Sequence, residues 1–176
     1  MKFNFKGQTA VVTGGTRGIG RGISEALLKA GVKVIATYQS NDKAAKEFEK
    51  SNEEYSDFLD LRSFDVTKYG QVEGFYRYVE QTYGEFQILV HGSGIRIDSV
   101  VGMMHESDWR KVIDTNLTGT FNMCKLAVQN MMRKKYGRII ILTSPIGKFG
   151  FLGQSNYAAS KAGQVAFMKS LSKEVA

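Results

Sequence analysis

The chain has one cysteine, one proline, two histidines and no apolar run approaching the length of a membrane span. Each scarcity excludes something. The lone Cys124 cannot close an intramolecular disulfide, and no Cys/His cluster has metal-site spacing, so no metal is expected and His91 and His105 read as structural side chains. Without about 20 consecutive apolar residues there is no candidate spanning helix. The opening stretch "MKFNFKGQTAVVTGG" runs directly into a glycine turn and does not read as a secretory signal. These absences lead us to expect a soluble, cytoplasmic protein without a membrane role. Nineteen glycines beside the single proline predict many tight turns and few rigid linkers. With no low-complexity segment or repeat, the 176 residues read as one domain with a substantial core.

Charge is not scarce, and it is unbalanced at +7. A basic excess suggests nucleic acid, but the cations are scattered apart from "RKKYGR" at Arg133–Arg138. No helix-turn-helix, zinc finger or aromatic-plus-basic signature accompanies them. The expectation is no nucleic acid; an acidic partner or anionic ligand explains the balance at least as well. Lys134, Lys135 and Arg138 close a long helical stretch and open the strand after it, and cations at a helix end also suit its dipole.

Short β-rich runs alternate with longer amphipathic stretches. Strands are expected at Thr9–Thr13, Lys33–Tyr38, Leu59–Val66, from Ile88 to His91 and at Arg138–Thr143. Helices are expected near Arg21–Ala30, Asp42–Ser51, Gln71–Tyr83, Trp109–Lys135, and from the Tyr157 region to the last residue. Repeated β-α-β with short apolar strands implies an α/β fold, a doubly wound parallel sheet with helices on both faces.

"TGGTRGIG", Thr13 to Gly20, follows the first strand and opens the first helix. Glycines let a ligand approach the main chain, and a helix N-terminus presents unpaired N–H groups to a pyrophosphate. The spacing is G-x-x-x-G-x-G at Gly14, Gly18 and Gly20, not the G-x-G-x-x-G fingerprint. At the end of the second strand, an acid would bind the adenosine ribose of NAD. Here the chain reads Ala36-Thr37-Tyr38-Gln39-Ser40, with no acid before Asp42, and Arg17 lies in the glycine loop, suited to a 2′-phosphate. The pattern favours NADP(H) over NAD.

In "SNYAASKAG", Tyr157 and Lys161 are four residues apart, on one face of a helix, with small residues between that would leave the adjoining surface open. A cation beside a phenol lowers its pKa from about 10 and makes it a usable acid near neutrality.

Together the glycine loop and the Tyr-Lys helix resemble the short-chain dehydrogenase/reductase family, along the whole chain. "TGGTRGIG" matches that family's cofactor loop, with Gly14, Thr16, Arg17, Gly18, Ile19 and Gly20, and "YAASK" matches its Y-x-x-x-K motif. "DTNLTG" supplies the active-site asparagine as Asn116, and "ILTSPIG" sets Ser144 thirteen residues before Tyr157, where the catalytic serine sits. "FDV" puts Asp65 and Val66 where the family contacts the adenine; Tyr38 and Gly94 complete the implied cofactor set. The resemblance implies a Rossmann-type NAD(P)-binding domain, cut short after the fifth strand and the catalytic helix, since family members continue further. The 176-residue chain is therefore expected to be catalytically poor by itself.

"GRIIILTS", "GQSNYAASKAG" and "SLSKEVA" most resemble the 3-oxoacyl-[acyl-carrier-protein] reductase branch. That implies NADPH-dependent reduction of a 3-oxoacyl thioester in fatty acid synthesis, a carrier-protein or coenzyme A substrate, and a homotetramer built on the helices holding Asn116 and Tyr157. Tyr157 would be the acid, Lys161 its cation and nicotinamide-ribose ligand, and Ser144 the donor that positions the carbonyl. Asn116 would anchor a water relaying protons through Lys161. The basic patch at Lys134, Lys135 and Arg138 would dock the acidic carrier. Acetoacetyl-CoA reductases, sugar or secondary-alcohol dehydrogenases, and a non-catalytic dinucleotide-binding protein are the alternatives. One motif departs from the family: after the fourth strand N-N-A-G is replaced by His91-Gly92-Ser93-Gly94, which keeps Gly94 but lacks the asparagines that brace the sheet.

Overall fold

A computed structural model describes residues 5–176; the first four residues of the opening stretch lie outside the described residues. Five strands form one all-parallel sheet in the order β3-β2-β1-β4-β5. They are β1 (Thr9–Thr13), β2 (Lys33–Tyr38), β3 (Leu59–Ser63), β4 (Ile88–His91) and β5 (Arg138–Ile141). Helices α1 (Gly18–Lys29), α2 (Asp42–Ser51), α3 (Tyr69–Tyr83), α4 (Glu106–Ile113), α5 (Gly119–Lys134), α6 (Ile146–Phe149) and α7 (Ser155–Glu174) supply the crossovers and covering layers. This is the doubly wound, Rossmann-type arrangement that the alternation predicts.

The alternation of side chains along each strand decides the layers. From β1, Val11 packs with Phe75 and Tyr76 of α3 and Met123 and Ala127 of α5. Its neighbours Ala10 and Val12 face the other way, onto Leu28 of α1 and Phe48 of α2. Every residue of β1 and β4 is buried, which is why both read as continuous apolar runs rather than alternating ones. Cys124 lies in the first of these cores, and burial pushes its thiol up to about 12, leaving it unreactive.

The chain winds outward from β1 to β3, then returns to place β4 on the other side of β1. A crevice must open at this reversal, beyond the carboxyl ends of β1 and β4.

Several boundaries differ from the sequence reading. α1 starts at Gly18 rather than Arg21, so the loop glycines themselves form its first turn. β3 stops at Ser63 rather than Val66, because β2 offers its last carbonyl, from Tyr38, to Phe64 N. β5 stops at Ile141 rather than Thr143, whose hydroxyl bonds to the Lys161 carbonyl of α7. The helix expected from Trp109 to Lys135 begins at Glu106 and is broken by a π-helical turn at Asp114–Thr118. Such single π turns inside helices recur at functional sites, and Asn116 is the buried residue of this one. The short α6 and the 3-10 turns at Glu53–Phe58 and Val101–Met103 carry no apolar periodicity long enough to read.

Candidate active site

A cleft of about 870 Å³ occupies the crevice, and its wall runs from Gly14, Arg17 and Gly20 past Tyr38 to Gly94, Tyr157 and Lys161. The glycine loop forms one end. Gly14 and Gly18 have φ of +66° and +53°, a region closed to most residues, and a Cβ on Gly20 would stand 2.1 Å from the Gly14 carbonyl oxygen. The loop therefore folds tightly enough to bring its backbone to a ligand. Arg17, the N-cap of α1, makes no side-chain cap, so the first-turn N–H groups stay available to an anion. Ile19 is 75% exposed at the same lip and Thr16 is buried beneath it, both on the cleft wall.

Along the wall, the end of β2 contributes Thr37, Tyr38, Gln39, Ser40 and Asn41 and no carboxylate. Burial, and then Asp42 beside it, raises the pKa of the Tyr38 hydroxyl. Val66 lines the cleft; Asp65 does not, and its Oδ1 accepts from Thr67 N, capping the turn after β3.

Where the family's asparagines are missing, Thr13 does the bracing. Its Oγ1 accepts from Gly92 N and Ser93 N, both at 3.1 Å, and lies 2.9 Å from His91 Nδ1. With both lone pairs in use, the threonine proton must go to Nδ1, so the imidazole carries its own proton on Nε2. That Nε2 is buried without a partner among the described residues. Burial, then the charge of Lys161, lowers the His91 pKa to about 3, and the ring stays neutral.

The other end of the cleft is built by α7, which packs closely on the π turn: a Cβ on Gly163 would meet Leu117 Cδ2 at 2.8 Å. Ser160 is small because it is fully buried there, bonded to Asn116 Nδ2 at 3.0 Å, not because the face is open. Tyr157 and Lys161 both reach the cleft, as their spacing predicts. Lys161 is only 5% exposed. Its Nζ donates to the Leu142 carbonyl at 2.8 Å and to Gln164 Oε1 at 3.0 Å. Burial lowers its pKa to about 8. A Cβ on Gly94 would stand a tight 3.2 Å from Asn116 Oδ1, so a side chain there would crowd the Asn116 amide beside Lys161. Ser144 follows β5; its Oγ accepts from Ile146 N at 3.3 Å, leaving the hydroxyl proton free to donate.

Asn116 is bonded through both its side chain and its carbonyl. Its side chain is spent on Ile95 N, Ile95 O and Ser160. Its carbonyl accepts from Thr120 Oγ1 at 2.6 Å and Gln164 Nε2 at 2.8 Å. Both carbonyl lone pairs are thus taken, and a hydrogen-bonded path from Asn116 to Lys161 runs through Gln164. Sequence reasoning missed Gln164. The signal was there: positions 157, 161 and 164 repeat with the spacing of one helix face.

The basic cluster lies at the end of α5 and the start of β5. Arg138 begins β5 opposite Ile88, at the strand-start rim, whereas the cleft opens beyond the strand ends. Arg133 and Lys134 pair with Glu80 and Glu85. Arg133 and Lys134 lie in the last turn of α5, where cations suit the helix dipole.

Among the described residues no helix is long and apolar enough to cross a membrane. The short chain dehydrogenase profile matches residues 8–176. A 3-oxoacyl-[acyl-carrier-protein] reductase of Escherichia coli K12 is 40% identical over 177 residues, covering 98% of this chain and 69% of that protein. An acetoacetyl-CoA reductase of Shinella zoogloeoides is 42% identical over 168 residues, covering 95% and 67%. The crystal structure of gox2181 superposes with a TM-score of 0.91 at 31% identity, covering 97% of this chain and 67% of that one. The chain belongs to the short-chain dehydrogenase family and is an oxidoreductase. It spans about two thirds of the length of these relatives.

Proposed function

We propose that the protein reduces the ketone of a 3-oxoacyl thioester to the 3-hydroxyacyl form with NADPH. The observation that carries this reading is the single cleft linking the glycine loop to Tyr157 and Lys161. A dinucleotide fits it: the loop glycines leave room for a pyrophosphate at the N-terminus of α1. Arg17 and the carboxylate-free end of β2 favour the 2′-phosphate form. Gly14, Thr16, Arg17, Gly18, Ile19, Gly20, Tyr38, Val66 and Gly94 would hold it, with Asp65 supporting the turn beside Val66.

When bound, NADPH supplies the hydride; the chain supplies position and proton. Among the described residues the Tyr157 hydroxyl has no hydrogen-bond partner, and Tyr157 lines the cleft, so it can donate to the oxygen on which charge develops. Lys161 holds a positive charge 5.6 Å from the centre of the Tyr157 ring, stabilising the phenolate left behind. Its two bonded N–H groups leave a third for the ribose of the cofactor. Ser144 donates to the substrate carbonyl and orients it. The printed activities of the Escherichia coli and Shinella relatives support an acyl thioester, on carrier protein or on coenzyme A. Exposed Phe121 on α5 and Met168 on α7 support assembly into a homotetramer through those helices.

The test is NADPH oxidation by the purified full-length protein, followed spectrophotometrically with acetoacetyl groups on carrier protein, on coenzyme A, and with a simple secondary ketone. Oxidation with either thioester and not with the ketone is expected. Oxidation with the ketone alone would overturn the substrate class.

A further inference from the structure

Gln164 lies one helical turn beyond Lys161 on α7 and is only 1% exposed, yet it is polar and fully satisfied. Its orientation is dictated by its neighbours. The Asn116 carbonyl can only accept, at 2.8 Å from Nε2, and the second Nε2 proton goes to Thr120 Oγ1 at 2.8 Å. Thr120 in turn donates its own proton to the Asn116 carbonyl. The amide therefore cannot be flipped, and Oε1 must face Lys161, whose amine can donate. A leucine-sized apolar side chain would have filled this volume without requiring three partners. Buried amides left half-satisfied are costly, so a closed network fixes its members.

We propose that Gln164 is a positioning residue for Lys161, tying the lysine ammonium to the π-helical turn at Asn116 and holding it in its charged form within the cleft. The proposal rests on the reading above, in which Tyr157 is the proton donor and Lys161 its cation. Gln164 touches neither substrate nor cofactor and acts through Lys161. The titratable groups facing Lys161 are Tyr157 on its own helix and His91 on β4, which is neutral. Among the described residues no carboxylate forms an ion pair with Lys161. Leu142 O and Gln164 Oε1 are thus the acceptors that offset the burial of its charge. Removing Oε1 must lower the Lys161 pKa further from its buried value of about 8, and replacing the amide by a carboxylate must raise it.

Two variants test this in the full chain. Gln164→Met keeps volume and removes all three hydrogen bonds; Gln164→Glu keeps an acceptor for Lys161 and loses the donor arm to Asn116. The Lys161 Cε resonance of ¹³C-lysine-labelled protein, assigned by its loss in Lys161→Met, is titrated without cofactor or substrate. Expected is a midpoint about one to two pH units lower in Gln164→Met, the scale of a charged hydrogen bond, and a higher midpoint in Gln164→Glu. In parallel, the alkaline limb of kcat/KM for NADPH-dependent reduction should shift in the same directions. Midpoints equal to wild type in both variants would overturn the proposal. Should Gln164→Met fail to fold, a midpoint in Gln164→Glu that does not rise overturns it. If the midpoints move as expected while Tyr157→Phe turns over normally, the positioning role stands and the proton-donor reading fails instead.

Discussion

Lys161 Nζ lies over the Tyr157 ring, 5.6 Å from its centre, and is bonded not to the phenol but to the Leu142 carbonyl and Gln164. The spacing of four residues does bring the two side chains to one cleft, and in the proposed mechanism the cation acts on the phenol through its field. Lys161 Nζ is held from behind by Gln164 of α7 and by the Leu142 carbonyl just past β5. The hydroxyl remains free for a ligand.

From this geometry follows a pH dependence. Burial lowers the Lys161 pKa from 10.5 to about 8, so the cation is lost as pH rises through about 8. We expect kcat/KM for ketone reduction, which reports the free enzyme, to fall above that value. A profile that stays flat up to 10.5, the ordinary lysine value, contradicts it.

His91 gives a stability prediction of the opposite pH range. Its folded pKa is depressed, from 6.5 to about 3, so between those values the unfolded chain binds the extra proton and stability falls as pH falls. The loss is up to about 1.4 kcal/mol for each pH unit below the unfolded value. Urea unfolding of wild type and His91→Gln at neutral and mildly acidic pH checks this. The variant should lose less stability on acidification; equal losses would remove His91 from the account.

In the glycine loop, Gly20→Ala adds a methyl 2.1 Å from the Gly14 carbonyl oxygen, so the loop must open. NADPH affinity measured by fluorescence should fall at least about tenfold, or about 1.4 kcal/mol. Gly22→Ala, whose Cβ meets nothing within 4 Å, serves as the control and should bind as wild type. Unchanged affinity in Gly20→Ala would mean that the loop does not cradle the cofactor.

Arg17→Ala should weaken NADPH far more than NADH, because only NADPH carries the 2′-phosphate. A charged hydrogen bond is worth about 1.5–3 kcal/mol, or roughly a tenfold to hundredfold change in affinity. Equal losses for the two cofactors would leave Arg17 a general surface charge.

The fold was legible because its central strands are buried on both faces and announce themselves as apolar runs, as in Thr9–Thr13. Tyr157 and Lys161 were legible because helical spacing is local. What stayed hidden depends on contacts between distant segments. The π turn at Asn116 forms where α4 and α5 bend around α7, and nothing in "DTNLTG" distinguishes it from a regular helix. Thr13 read as one more strand residue until the β4 turn folded over it. Ser160 read as a spacer, although its hydroxyl bonds Asn116 from 44 positions away.

The proposed reduction of a 3-oxoacyl thioester depends above all on Tyr157 as the proton donor. The most direct measurement compares wild type and Tyr157→Phe for NADPH oxidation with such a thioester, while NADPH binding is followed in both. The substitution removes the donor and little volume. Turnover is expected to fall at least about a hundredfold, the scale of general-acid catalysis, with NADPH affinity roughly kept. Near-normal turnover in Tyr157→Phe would contradict it.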